Sequence, residues 1–100
     1  MMGTTFPDSI HGTHLPPDSG RHLFDDVAAV LRRADLTVGN LEGTMLDGPG
    51  MRRRMRDPKS YYVFRMPTCF VDNLTDAGFD CLGLANNHVN DFGEPGRRST

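Results

Sequence analysis

Apolar positions in the first half of the chain recur at helical spacing and then give way to a short β-branched run. Residues 21–34 carry an apolar stripe on one helical face, with two aspartates early and two arginines late, as the helix dipole favours. The members of this stripe are Leu23, Val27, Val30, Leu31 and Ala34. Residues 35–39 are short, apolar and β-branched. The pattern therefore predicts an amphipathic helix over 21–34 and a strand over 35–39.

A second helical pattern begins at Pro67, a residue that suits the first turn of a helix. Phe70, Leu74 and Ala77 follow at helical spacing and predict the buried face of that helix. Gly78 predicts its C-terminal cap, with the apolar residue behind the glycine packing back onto the last turn.

The segment behind this helix is a nearly continuous apolar run over residues 79–85. Such a run is typical of a parallel strand that is covered on both faces. Residues 61–66 predict a brief extended segment, and residues 91–95 resemble a capping box that opens a further helix. Strands separated by helices predict an α/β fold with parallel strands near 35–39 and 79–85.

Two glycine- and proline-containing segments predict loops. Residues 1–20 are rich in turn-forming residues, and the spacing of His11 and His14 within them is better explained by a loop than by a ligand pair. Residues 47–59 predict an inserted surface loop that carries the basic run 52–56. A solvated surface explains such a run best, and binding of phosphate or a polyanion is the alternative.

Composition limits the possible classes of protein. One hundred residues with 37% hydrophobic residues, 24% charged residues and a net charge of −2 describe a single small globular domain. They do not describe a disordered chain or a polycation, and no nucleic-acid partner is expected. Cys69 and Cys81 lack zinc-site spacing, so buried free thiols are expected. No run resembles a membrane span or a signal peptide, and localisation stays open.

The candidate chemistry lies where the two predicted strands end. Asn40 and Glu42 follow the first strand, and Asn87 and His88 follow the second. Parallel neighbours would bring both clusters to the same edge of the sheet. Carboxylate and amide oxygens with an imidazole nitrogen form a donor set suited to manganese, iron or zinc. Ordinary turn residues, a solvated Glu42, a hydrogen-bonded loop His88 and a helix-capping Asp91 are the alternatives.

Four segments together carry a resemblance that covers nearly the whole chain. They are Met1-Met2-Gly3-Thr4, residues 34–44 with Gly-Asn-Leu-Glu at their centre, residues 63–67 (Val-Phe-Arg-Met-Pro), and residues 77–88, which end in Ala-Asn-Asn-His. In order and spacing they resemble the bacterial capsule synthesis protein CapA family, whose members are also called poly-γ-glutamate synthesis proteins.

The resemblance implies a calcineurin-like metallophosphoesterase fold, a layered α/β sandwich whose metal ligands lie on loops after strands. Asn40 and Glu42 match the family's second motif, and Asn87 matches the asparagine that gives an amide oxygen to a metal. His88 matches a proton donor or phosphate-contacting residue, and Asp91 a further site position.

Two departures from the family pattern concern completeness. The first family motif reads Gly-Asp-aliphatic-Met, and this chain begins inside it at Met1-Met2-Gly3. The later histidine motifs would lie beyond Thr100. We therefore expect residues 1–100 to form one partial CapA-like domain that lacks the first strand and the C-terminal part. A partial site of this kind should be poorly active.

The leading hypothesis is a protein of poly-γ-glutamate or capsule polysaccharide biosynthesis that resembles a metal-dependent, phosphoesterase-like hydrolase. Its substrate would be an anionic polymer or a phosphoester, with Arg65 either contacting that substrate or simply lying exposed. The family resemblance alone suggests a membrane-associated capsule synthesis machinery as partner. The alternatives are a non-catalytic module that binds an anionic polymer and an inactive gene fragment, so enzymatic activity stays open.

Overall fold

The computed structural model describes residues 2–3, 14–48 and 62–100. The chain folds into helices and short parallel strands in two small sheets, which confirms the predicted α/β class. They are the 3-10 turn Pro17–Gly20, helix α1 (Asp25–Leu31), strands β1 (Val38–Asn40), β2 (Thr44–Met45) and β3 (Arg65–Met66), the 3-10 turn Thr68–Phe70, helix α2 (Val71–Ala77), strand β4 (Cys81–Gly83) and helix α3 (Gly93–Ser99). Across these ranges no helix is long and apolar enough to cross a bilayer.

Strands β1 and β4 pair in parallel, as predicted, with Val38 opposite Cys81 and Asn40 opposite Gly83. Both strands are shorter than the predicted runs. At the start of the pair the carbonyl of Thr37 accepts the backbone N–H of Cys81 (3.2 Å), while the N–H of Thr37 donates to the Asp80 carboxylate (2.7 Å). Both sides of the Thr37 backbone are therefore hydrogen-bonded to the segment that leads into β4.

A second parallel pair joins β2 to β3, with Thr44 opposite Arg65 and Met45 opposite Met66. The extended segment expected over 61–66 contributes β3, whereas β2 has no counterpart among the predicted strands. Gly43 turns the chain from β1 into β2 with φ of +112°, a value that favours glycine. All four residues of this pair are buried.

The main core lies between the two pairs of strands and α2. Its buried members are Met2, Leu41, Met45, Met66, Phe70 and Leu74. A smaller cluster beside α3 contains Leu46, Val63 and Phe92. Burial of this apolar surface is the main force that holds these short elements together.

Helix α2 follows the prediction closely. Phe70, Leu74 and Ala77 are buried, and Gly78 ends the helix in the left-handed region with φ of +98°. The N–H of Phe79 donates to the carbonyl of Leu74 (3.1 Å), and its ring packs against the main core. This is the hydrogen-bond pattern of a Schellman cap with its apolar contact.

The predicted buried face of α1 is wrong except at Leu31, which is half-buried. Leu23, Val27 and Val30 are exposed, and the helix is shorter than the range 21–34. The less exposed stripe consists of Phe24, Ala28 and Leu31, of which Ala28 is buried and the other two are half-buried. Phe24 packs edge-on against Phe79 with ring centroids 5.6 Å apart. Both stripes have helical spacing, and this aromatic contact with the core decides between them.

The expectation that strand 79–85 is covered on both faces is also wrong. Gly39 and Leu82 face Phe79 on the inner side, where a Cβ on Gly39 would come within 2.8 Å of the Phe79 ring. On the other side Val38 is 63% exposed and its register partner Cys81 is exposed. The sheet formed by β1 and β4 therefore has one packed face and one face without cover among the described residues.

Both cysteines are exposed, contrary to the expectation of buried thiols. Cys81 lies on the open face of the sheet, and Cys69 lies in the 3-10 turn that precedes α2. The basic run 52–56 and His11 fall outside the described residues, whereas His14 is described and exposed.

Candidate functional site at the ends of β1 and β4

The polar residues that follow β1 and β4 meet at one edge of the sheet, as the parallel order predicted. The ladder continues one residue past the strands through the N–H of Leu41, which donates to the carbonyl of Gly83 (3.0 Å). Beyond it, Asn40 at the end of β1 accepts a hydrogen bond from the side chain of Asn86 (3.1 Å). The two strand ends are thus in direct contact.

His88 lies between two carboxylates in this cluster. Its Nδ1 is 2.7 Å from Oδ2 of Asp91, and its Nε2 is 3.6 Å from Oε1 of Glu42. The first distance is that of a strong hydrogen bond, and the second is too long for one. A water molecule or a cation between Nε2 and the Glu42 carboxylate could contact both groups.

Asp91 is fully buried and fixes the ring of His88. The backbone N–H of Phe64 donates to the same oxygen, Oδ2, at 2.8 Å. Because Oδ2 accepts this bond, Nδ1 of His88 acts as a donor to it, and the lone pair of the neutral ring lies on Nε2. Asp91 therefore directs Nε2 of His88 towards Glu42.

The alternative role of Asp91 as a helix cap is wrong. Helix α3 begins after Phe92, which makes no side-chain capping bond. The carboxylate of Asp91 is turned inward to Phe64 and His88 instead. Its Oδ1 is buried and has no hydrogen-bond partner within the described part of the chain.

Phe64 packs its ring against the imidazole of His88, with centroids 4.2 Å apart and planes inclined by 40°. The same residue supplies the N–H that holds Asp91. The segment before β3, which the sequence marked only as extended, thus supports His88 from two directions. Phe64 is a site residue that sequence reasoning missed, although it lies inside the Val-Phe-Arg-Met-Pro segment.

Asn86 is a second residue that sequence reasoning did not assign. Its side-chain N–H₂ donates to Asn40 and to the carbonyl of Leu41 (3.0 Å), and its carbonyl oxygen accepts the N–H of His88 (3.0 Å). The available signal was its position, because Asn86 is the first polar residue after the apolar run 79–85. The neighbouring Asn87, which was expected to bind metal, is exposed at the same turn.

Arg65 is 4% exposed, so the alternative that it simply lies exposed is wrong. Its Nη1 donates to the carbonyl of Gly48 (3.0 Å), and its guanidinium carbon lies 4.4 Å from the centre of the Phe92 ring. Burial lowers the pKa of Arg65, and the charge of Asp47 acts in the opposite direction. A substrate-contacting role for Arg65 stays a prediction.

The donor chemistry of the strand-end cluster suits a divalent transition metal. It combines the carboxylate of Glu42, the amide of Asn40 and Nε2 of His88, which are oxygen and nitrogen donors of the kind that manganese, iron and zinc accept. Participation of Asn87, which is exposed at the neighbouring turn, stays a prediction. Within the described ranges no group of three or more histidine, cysteine, aspartate or glutamate side chains converges on one point. A metal here would therefore depend on the amide oxygens as well as on the charged groups.

Comparison with known proteins gives the family. The family model described as bacterial capsule synthesis protein PGA_cap matches residues 1–100. The capsule biosynthesis protein CapA of Bacillus anthracis is 29% identical over 101 residues, which cover 97% of this chain and 24% of the relative. Two uncharacterized proteins of Sinorhizobium fredii, y4sH and y4uA, are each 35% identical over 87 residues, which cover 82% of this chain and 18% of each relative. The chain spans less than a quarter of the length of each of these relatives. It belongs to the family of bacterial capsule synthesis proteins.

Proposed function

We propose that the cluster at the ends of β1 and β4 is part of the active site of a metal-dependent hydrolase that acts in the biosynthesis of capsule polymer. The observation that carries this proposal is the placement of His88 between the buried Asp91 and the more exposed Glu42. A ring held at Nδ1 by a buried carboxylate, with Nε2 directed towards an open edge, is arranged for proton transfer. Membership of the capsule synthesis family supports the biological context.

Each residue of the cluster has a distinct role in this proposal. Asn40, Glu42 and Asn87 supply oxygen ligands. His88 accepts a proton at Nε2, and the imidazolium then gives this proton to the leaving group. Asp91 and Phe64 hold the ring, one through Nδ1 and the other through its face. When bound, the metal would polarise the substrate and lower the pKa of a bound water.

The substrate class that fits this chemistry is a phosphoester or an anionic polymer such as poly-γ-glutamate. A divalent cation next to carboxamide and carboxylate ligands attracts phosphate or carboxylate groups. A role of Arg65 towards such a substrate would depend on its positive charge rather than on direct contact, because its side chain is buried against Phe92.

We also infer that residues 1–100 hold an incomplete site. Three oxygen ligands would fill about half of an octahedral shell, and the other positions need water, substrate or further protein groups. Catalysis demands that all groups be held within about half an ångström of the productive geometry. We therefore expect this chain to bind metal weakly and to turn over substrate slowly.

The alternative of a non-catalytic module that binds an anionic polymer has less support in the described residues. Arg65 would have to leave its contacts with Gly48 and Phe92 to present its guanidinium at the surface. Binding of poly-γ-glutamate that persists in a chelator would favour this alternative.

Titration of the chain with Mn²⁺, followed by electron paramagnetic resonance, tests the metal site. We expect saturable binding that weakens strongly in Glu42→Gln. The matched control is Glu94→Gln, which removes the charge of an exposed helix carboxylate paired with Arg98 (2.9 Å) and should leave binding unchanged. Absence of saturable binding of Mn²⁺, Fe²⁺ and Zn²⁺ would contradict the proposal.

Hydrolysis of bis(p-nitrophenyl) phosphate with Mn²⁺ present tests the role of His88. We expect slow hydrolysis that falls about 100-fold or more in His88→Ala, in line with the usual contribution of a general acid. His22→Ala removes an exposed histidine with a similar aspartate partner and should keep the wild-type rate. Equal rates in both variants would exclude His88 as the proton donor.

A further inference from the structure

Asn86 connects the two halves of the candidate site. We propose that it is a positioning residue, which locks the segment after β1 to the segment after β4 and thereby sets the places of Asn40 and His88. The proposal rests on the proposed function for the part that concerns metal affinity. Its geometric part stands on the hydrogen bonds of Asn86 alone.

The three hydrogen bonds of Asn86 fix the orientation of its amide. Nδ2 donates to Oδ1 of Asn40 (3.1 Å) and to the carbonyl of Leu41 (3.0 Å), and Oδ1 accepts the N–H of His88 (3.0 Å). An asparagine amide has two N–H donors, and both are used here. A flipped amide would place its oxygen against two acceptor oxygens and its N–H₂ against a donor, so this orientation is the one the surroundings permit.

These bonds replace the ladder beyond the ends of the strands. Backbone pairing of β1 with β4 ends where Leu41 donates to Gly83. Beyond it, Asn86 donates to Asn40 and Leu41, which lie 46 and 45 residues earlier in the chain. No other side chain in the described ranges donates to Asn40 or to the carbonyl of Leu41 in this structure. Asn86 thus links the loop after β1 to the loop after β4 by side-chain hydrogen bonds.

The hydrogen bonds of Asn86 have two consequences for the site. The Asn86 bond holds the carboxamide oxygen of Asn40 by one lone pair and leaves the second lone pair for a cation. On the other side, the bond to the N–H of His88 anchors the backbone from which the imidazole reaches Asp91 and Glu42. One side chain therefore sets both a candidate ligand and the proton donor.

A simple turn-forming role would need less than this. An asparagine that only stabilises its own turn accepts the N–H two residues ahead, which is the bond to His88. The two donated bonds to Asn40 and Leu41 serve no local turn, since both acceptors belong to the other strand end. The variant Asn86→Asp separates the two roles, because a carboxylate keeps the acceptor and loses both donors.

The experiment compares the 100-residue chain with Asn86→Asp and with the matched control Asn73→Asp. Asn73 also donates through Nδ2 over a long sequence distance, to the carbonyl of Ser19 (2.8 Å), but far from the site. NMR of the metal-free chains follows the side-chain amide of Asn40 and the ring nitrogens of His88. Titration with Mn²⁺ gives the affinity.

We expect Asn86→Asp to shift the signals of Asn40 and His88 and to weaken Mn²⁺ binding about 10- to 100-fold, the usual loss when a residue behind a metal ligand is removed. Asn73→Asp should leave the signals of Asn40 and His88 in place and the Mn²⁺ affinity within about twofold of wild type. Unchanged signals of Asn40 and His88 in a folded Asn86→Asp chain would overturn the proposal, as would equal loss of affinity in both variants.

Hydrogen exchange in the wild-type chain gives a test that does not depend on a variant folding. The side-chain N–H₂ of Asn86 should exchange more slowly than that of Asn73, because both of its protons are donated at the junction of the two segments. Equal exchange rates for the side-chain N–H₂ groups of Asn86 and Asn73 would contradict the proposed link between the two loops. If the wild-type chain bound no Mn²⁺, the metal hypothesis would fail, while the exchange and NMR results would still decide the role of Asn86.

Discussion

Two histidine–aspartate pairs in the described part of the chain share the same spacing and differ in nearly everything else. His22 Nδ1 lies 2.8 Å from Asp25 Oδ2, and His88 Nδ1 lies 2.7 Å from Asp91 Oδ2. The side chains of the first pair are 73% and 64% exposed, whereas those of the second are 13% and 0% exposed. The contact geometry of a pair therefore says little about its role.

Burial and additional partners distinguish the second pair. Asp91 also accepts the N–H of Phe64, the ring of Phe64 packs on His88, and Glu42 faces the other ring nitrogen. An exposed pair such as the first contributes little to stability because water competes for both groups. A candidate site is therefore recognised by the groups that surround a polar pair and by the atom that those groups leave available.

The largest expected difference between the pairs follows from removal of their carboxylates. Asp91→Ala should lower the free energy of unfolding by about 2–4 kcal/mol, because it leaves the N–H of Phe64 and the half-buried ring of His88 without their acceptor. Asp25→Ala should change it by about 0.5 kcal/mol or less. Urea unfolding of both variants measures the contrast, and equal losses would show that burial does not separate the two pairs.

The backbone that places Phe64 beside His88 can be tested at Gly43. A Cβ at Gly43 would lie 2.8 Å from Cβ of Phe64, and the φ of +112° is unfavourable for alanine. Gly43→Ala should therefore cost about 1–3 kcal/mol and displace Phe64 from the imidazole. Thermal unfolding gives the stability, and the ring-current shift of His88 reports the displacement.

The matched control for this change is Gly48→Ala, since a Cβ at Gly48 would meet no atom within 4 Å. Its effect on stability should be close to neutral, and the signals of His88 should not move. If Gly43→Ala left the His88 signals unchanged while it destabilised the chain, the support from Phe64 would not define the site.

Some of this site could be predicted from the sequence because it depends on local patterns. Apolar runs that stop at polar residues placed Asn40, Glu42 and His88 at strand ends, and the helix between the runs implied parallel pairing. Gly78 predicted the end of α2 for an equally local reason, the need for a left-handed residue at a helix cap.

The remainder depends on contacts between residues far apart in the chain, which spacing does not encode. Asp91 has the local pattern of a helix cap, and its actual partner, Phe64, lies 27 residues earlier. In α1 two apolar stripes compete, and packing of Phe24 on Phe79 decides which is buried. The exposure of Val38 was missed because an apolar strand looks the same whether one of its faces is covered or both.

Asp47 provides the smallest and most specific test, because it is exposed like Asp25 but accepts hydrogen bonds from both the backbone and the side chain of Thr68. Hydrogen bonds from the side chain and backbone of Thr68 lower the pKa of Asp47 from its ordinary value of 3.8, and the charge of Arg65 adds to this effect. A carboxylate whose pKa is lowered by folding stabilises the native state above its unfolded pKa and loses that contribution as the pH falls through the folded pKa. Asp47→Asn should therefore be less stable than wild type at pH 7, with a difference in melting temperature that shrinks on acidification below about pH 4.

Asp25→Asn, measured over the same pH series, serves as the exposed control. If the difference in melting temperature for Asp47→Asn stayed constant or grew towards low pH, the stabilisation by the hydrogen bonds from Thr68 would not depend on the charge of Asp47. Asp47 would then contribute no more to pH-dependent stability than an exposed carboxylate such as Asp25.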